Sequence, residues 1–312
     1  MTTRPAAGIS GAATDGAAPL RRFDSKAFLF NSALAAAVGG GAAALLWGRA
    51  DLPPGAWAAP LGLGALWVLW RMRRWWRRLR AGDEPSPGVT RALERHVHFY
   101  QRLPAQKQAR FRRLVHWFLL DQTITGVGVE VNDELRALVA ASAIVLSFGL
   151  IDFEWDNTRD ILLYPSAFDE RYRHDARATR LGQVSRQGPV IFSAPALRAG
   201  FAQSADGHNV GFHEFAHVLD FADGEVDGVL AHLNWEAIRP WVDLMGEHMQ
   251  RRDKKGRRTQ VLRDYGYTHE AEFLACATEM FFERPALLQR RAPKLYDLLR
   301  DFYGQDLLLE EG

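Results

Sequence analysis

The run His213-Glu214-Phe215-Ala216-His217 most narrows what this 312-residue chain can fold into. An H-E-x-x-H run in an apolar segment calls for a helix, because at i and i+4 both imidazoles stand on one face. There they reach a single tetrahedral metal at about 2.0–2.1 Å. Glu214 lies one step round that helix, placed to take a proton from a metal-held water rather than to bind the metal. Phe212, Phe215, Ala216 and Leu219 recur near helical spacing and form the buried side. The acidic, Gly-bearing stretch from Asp220 to Gly228 then stops the helix. Short motifs of this kind also arise on surface helices whose histidines do nothing, so the remaining ligands have to be found elsewhere in the chain.

A closed structural zinc site needs four protein ligands, usually rich in cysteine, whereas a catalytic site uses three and keeps a position open for water. The chain has one cysteine, Cys276, which points to catalysis and rules out an intramolecular disulfide framework. For the third ligand, Thr268 to Glu283 reads as a helix, acidic in its first turn and followed by Pro285. Glu272 and Glu279 share a face of it but stand about 10.5 Å apart, too far for both to ligate one ion. Glu279 suits support of a ligand histidine through its other ring nitrogen. Asp223, ten residues after His213, has the offset of the last metzincin ligand, but those enzymes need a glycine where this chain has Leu219. On spacing alone Glu272 leads Glu279 and Asp223 without excluding them.

Several ordered pieces of the chain resemble one known family. They are LPAQKQARFRRLVHWFL (103–119), ILLYPSAF (161–168), GPVIFSAPAL (188–197), NVGFHEFAHVLDFADGEVDG (209–228), RDYGYTHEAEFLACATEMFFERP (263–285) and LYDLLRDFYGQD (295–306). In order and spacing they resemble the Mlc titration factor A (MtfA) family of bacterial zinc peptidases, gluzincins related in active-site plan to the anthrax lethal factor protease domain. The resemblance implies a zincin-like metalloprotease fold, one bound Zn²⁺, and hydrolysis of peptide bonds by Glu-assisted attack of zinc-bound water. It implies His213 and His217 as metal ligands, Glu214 as general base, and Glu272, in the E-F-x-A run, as third ligand. The family also places a functional tyrosine seven residues before that glutamate. Tyr265 stands there, and a phenol in such a place donates to the oxyanion formed when water attacks a carbonyl. The implied partners are a peptide or protein substrate and, from the family's namesake, a transcriptional repressor. The alternative to catalysis is a non-catalytic regulatory protein that sequesters such an Mlc-like repressor. Cys276, one turn after Glu272, reads as a small buried residue.

The N-terminal part carries a different signal. Ala27 to Gly48 is a 22-residue run without formal charge, and Leu52 to Trp70 a 19-residue run of the same kind. Each has the length to cross a hydrocarbon core of about 30 Å as a helix. Six arginines around Trp75 and Trp76 follow between Arg71 and Arg80. The spacing predicts a transmembrane helical hairpin with a juxtamembrane arginine cluster. By the positive-inside rule it also predicts a two-span anchor in the bacterial inner membrane, in contact with its lipid, and a cytoplasmic catalytic domain. Residues 1–80 hold 11 Lys+Arg against 3 Asp+Glu, a balance of +8, while 81–312 hold 28 against 34, a balance of −6. Basicity confined to the juxtamembrane end suits anionic headgroups, and the acidic remainder argues against a nucleic-acid partner.

The expected organisation is a disordered tail over 1–26, the hairpin and arginine cluster over 27–80, a Gly/Pro/Ser-bearing linker over 81–90, and a zinc peptidase domain over 91–312. Within that domain, 91–120 reads as helical with a break at Pro104, and 124–131 as a strand. Residues 135–150 read as a buried helix, and 160–164 and 189–192 as short strands. The predicted fold class is α+β, with the metal held between two helices.

Overall fold

The computed structural model describes residues 58–150, 153–155, 160–165, 189–221, 227–229, 235–250 and 261–308. The chain divides into two compact units, Met1–Trp76 and Arg77–Gly312. The described residues of the first unit all belong to one helix, α1 (Ala58–Ala81), whose last turns lie in the second.

The second unit is α+β and predominantly helical. In chain order it runs α2 (Pro87–His96), α3 (His98–Arg102), α4 (Ala105–Asp121), β1 (Ile124–Gly126), α5 (Asp133–Ser147), β2 (Ile161–Tyr164), β3 (Val190–Ser193), α6 (Ala194–Ala202) and α7 (Val210–Asp220). There follow α8 (Trp235–Gln250), a 3₁₀ turn (Asp264–Tyr267), α9 (Glu270–Glu283), α10 (Pro285–Arg291) and α11 (Pro293–Tyr303). The three strands form one parallel sheet in the order β1-β2-β3, with Ile124 opposite Ile161 and Ile161 opposite Val190.

The core is organised on α5. Asn132 starts this helix by accepting from Leu135 N at 3.0 Å, and Asp133 and Glu134 complement the dipole in its first turn. From Ala137 to Ser147 every residue is buried, as expected of a helix that is apolar or small all round. Its two serines bond back to the helix, Ser142 to Leu138 O and Ser147 to Ala143 O. Helices α2, α4, α6 and α7 all pack on α5. Where α7 crosses it, a Cβ on Gly211 would lie 2.0 Å from Ser142 Oγ, so only glycine allows that approach. One turn further along the same face, Phe215 seats α7 among Phe118, Trp155 and Phe192, with ring centroids 5.1–5.9 Å away. These contacts fix the rotation of α7, and with it the direction in which His213 and His217 point.

Most of the expected elements are present, with shifted bounds. The 91–120 stretch breaks at Val97 as well as before Pro104, which caps α4. The 124–131 strand is only three residues long.

The expected two-span inner-membrane anchor, and the cytoplasmic placement derived from it, do not stand. Among the described residues no helix is long and apolar enough to cross a membrane. The run Ala27–Gly48 lies outside the described residues, as do Leu52 to Trp57 of the second run. What remains uncharged in α1 is the thirteen residues from Ala58 to Trp70, about 20 Å of helix against a core of about 30 Å. The same helix then continues unbroken through all six arginines to Ala81. Two of these, within the second unit, are engaged by protein carboxylates: Arg77 and Arg78 both pair with Asp121, and Arg78 also with Glu154.

Candidate metal centre

The helix that carries the H-E-x-x-H run is started by Asn209, whose side-chain oxygen accepts from Phe212 N at 3.2 Å. The amide of Asn209 donates to Gly200 O on α6 and to Glu283 Oε1 on α9, each at 3.2 Å, so the start of α7 is pinned from two sides. His213 is buried, while Glu214 and His217 are half-buried.

Packing of α9 along α7 brings Glu272 to the two histidines. His213 Nε2 lies 3.1 Å from Glu272 Oε2, His217 Nε2 lies 3.6 Å from Glu272 Oε1, and the two Nε2 atoms are 3.2 Å apart. Ligands held about 2.0–2.1 Å from a tetrahedral zinc stand roughly 3.3–3.4 Å from one another. The two imidazoles and the carboxylate therefore have the mutual spacing and the donor chemistry that such an ion requires. Burial alone would push the Glu272 carboxyl up, but the two imidazoles outweigh it and hold the group well below the usual carboxylate range. Burial would likewise push His213 down, and Cys276, Glu272 and Glu279 reverse that to hold it well above an ordinary imidazole. The same surroundings favour any cation set between these donors.

Cys276 and Glu279 form a second possible donor set with His213. A cation already occupies it. Arg263 Nη2 lies 2.6 Å from Glu279 Oε2 and 3.1 Å from His213 Nδ1, and its Nε lies 3.1 Å from Cys276 Sγ. The guanidinium neutralises this set, which leaves the His213–His217–Glu272 set as the candidate position for a metal.

Tyr265 sits half-buried on the 3₁₀ turn, its ring 6.1 Å from that of His213. Burial, with the charges of Glu272 and Glu214 beside it, pushes the phenol up, so it stays a proton donor at any ordinary pH. The turn lies close on α9 because residue 266 is glycine: a Cβ there would be 2.8 Å from that of Cys276. His269 also approaches, its Nε2 3.8 Å from Glu272 Oε1, on an exposed side chain. Glu279 is buried, its Oε2 3.4 Å from His213 Nδ1 and its Oε1 accepting from Asn209 N at 3.1 Å. Glu270 is exposed, and Asp223 lies outside the described residues. Arg263 is the neighbour that sequence reasoning missed: it opens the 263–285 piece, but no spacing in the chain pointed to a role for it.

Glu283 adds a pH-dependent cost beside the centre. Burial lifts its carboxyl from 4.5 to about 8, and its Oε2 has no hydrogen-bond partner among the described residues. Between those values the folded state keeps a proton that the unfolded chain has released, so rising pH favours unfolding. Glu283→Gln is expected to reduce that slope. Between pH 5 and 8.5 wild type should lose more stability than the variant, by on the order of a kcal/mol or more, as read from urea unfolding at several pH values.

Two imidazoles from α7, a carboxylate from α9 and a further glutamate beside them suit the class of metallohydrolases. A family model described as glucose-regulated metallo-peptidase M90 matches residues 70–304, and the chain belongs to that family of metallopeptidases. Its relatives include proteins called Mlc titration factor A. That of Escherichia fergusonii is 28% identical over 76% of this chain and 94% of its own length, and that of Salmonella arizonae 30% identical over 65% and 86%. An uncharacterized protein of Synechocystis sp. is 29% identical over 79% of this chain and 95% of its own.

Proposed function

We propose that the protein is a zinc-dependent peptidase of gluzincin type with a zincin-like catalytic domain over residues 91–312. One Zn²⁺ is held by His213, His217 and Glu272, and its substrate is a peptide or protein. The observation that carries this is the spacing among the two Nε2 atoms and the two oxygens of the Glu272 carboxylate, 3.1–3.6 Å, beside Glu214. Zinc, when bound, would polarise the scissile carbonyl and lower the pKa of a water towards about 7. Glu214 takes the proton of the attacking water and passes it to the leaving amine. Tyr265 donates to the oxyanion from the side of the 3₁₀ turn. Glu279 accepts from Nδ1–H of His213, which keeps the Nε2 lone pair for the metal.

A purely regulatory role, in which the protein sequesters a repressor as the name Mlc titration factor A suggests for its relatives, is not favoured. Binding alone requires neither the donor triad nor a base beside it. The test is metal removal: the full-length protein should lose hydrolysis of a mixed peptide library on chelation and regain it with one equivalent of zinc. A zinc-loaded protein that cleaves no peptide would leave sequestration as the better account.

A further inference from the structure

We propose that Arg263 is a positioning residue that aligns the Tyr265 turn with the metal-binding helices. The inference rests on the zinc-peptidase reading and deepens it. Arg263 immediately precedes the 3₁₀ turn that carries Tyr265, and its guanidinium lies over the Tyr265 ring at 5.7 Å from the centroid. Each of its nitrogens meets a different partner. Nη2 pairs with Glu279 at 2.6 Å, Nε meets Cys276 Sγ at 3.1 Å, and Nη1 contacts His208 Nδ1. Glu279 and Cys276 belong to α9, and His208 stands just before the Asn209 cap of α7. One planar side chain thus bridges the turn and both ligand-bearing helices.

The bridge acts on the centre in two ways. First, the Glu279 side chain is only 2% exposed, and a carboxylate that deeply buried needs a compensating charge, which Arg263 supplies. With Oε1 engaged by Asn209 N, Oε2 is held between Arg263 and His213 Nδ1. The carboxylate is then fixed in place to accept from His213 and set its tautomer. Second, the fork holds the backbone two residues before Tyr265 against Cys276, the residue that a side chain at position 266 would meet. Lysine can supply the charge to Glu279 but not the planar, multi-directional fork.

The experiment uses the full-length protein in a Cys276→Ser background, which removes the thiol as a substitute ligand. Arg263→Ala and Arg263→Lys are compared with that background, with Tyr265→Phe as reference and Glu272→Ala as a metal-free control. Zinc affinity by chelator competition, the absorption spectrum of the Co²⁺-loaded protein, thermal stability, kcat and KM are measured. Arg263→Ala should weaken zinc binding by about 10–100-fold and shift the Co²⁺ spectrum. Arg263→Lys should recover the zinc affinity while its kcat stays as low as that of Tyr265→Phe, with KM unchanged. Zinc affinity and Co²⁺ spectrum equal to the background in Arg263→Ala, with any loss confined to thermal stability, would overturn the proposal and leave the site reading intact. A background protein that binds no zinc would overturn both.

Discussion

Glu214→Gln is expected to keep its zinc and lose roughly 10²–10⁴-fold in kcat, with KM little changed. The expectation follows from where Glu214 stands. It shares α7 with His213 and His217 but is not part of the donor set that they form with Glu272. Its charge is among the causes that push the Tyr265 phenol up, so the two side chains are near neighbours. Glutamine preserves size and polarity and cannot take up a proton, so a base should be lost without a ligand being lost. Metal analysis beside steady-state kinetics decides the matter. A variant that retains both zinc and most of its kcat would assign the base to another group. One that loses zinc would make Glu214 part of the metal sphere.

The second large effect is expected at Glu272. Glu272→Ala should weaken zinc binding by more than about 100-fold and abolish turnover, whereas Glu279→Ala should bind zinc about 10–100-fold more weakly than wild type and remain measurable. The two carboxylates lie on one face of α9 and are both buried, so burial and helix position cannot distinguish them. What differs is the nitrogen each one meets. Glu272 faces Nε2 of both histidines, while Glu279 faces Nδ1 of His213 and is already paired with Arg263. Chelator competition on the folded variants reads the difference directly. Equal losses in the two would mean that the ion is shared between the two sides of His213, contrary to the role given to Arg263.

How much of this was legible in the sequence depended on the distance over which each signal acts. Helix α7 and the buried helix α5 could be read because apolar spacing and side-chain caps are local properties. Glu272 ranked first on helical geometry, yet spacing could not remove Glu279 as a rival. That needed the side of the imidazole each carboxylate faces, which is set by how α9 packs along α7. Arg263 was invisible for the same reason, since the partners of its nitrogens lie between 13 and 55 positions away. The membrane anchor does not stand because no described helix is long and apolar enough to span, and counting uncharged residues gave no weight to the arginines that follow. The described helix keeps only Ala58 to Trp70 of the second run and carries its arginines in the same rod.

His213 and Glu272 stand 59 positions apart, on helices that meet only in the folded chain. An ion held by both is therefore a tether that the unfolded polypeptide cannot offer, and its binding energy becomes folding energy. At free zinc a hundredfold above the dissociation constant this amounts to about 2.7 kcal/mol. In a cell, the steady-state amount of this protein would then follow the zinc supply: scarcity would thin it by degradation before any question of turnover arose.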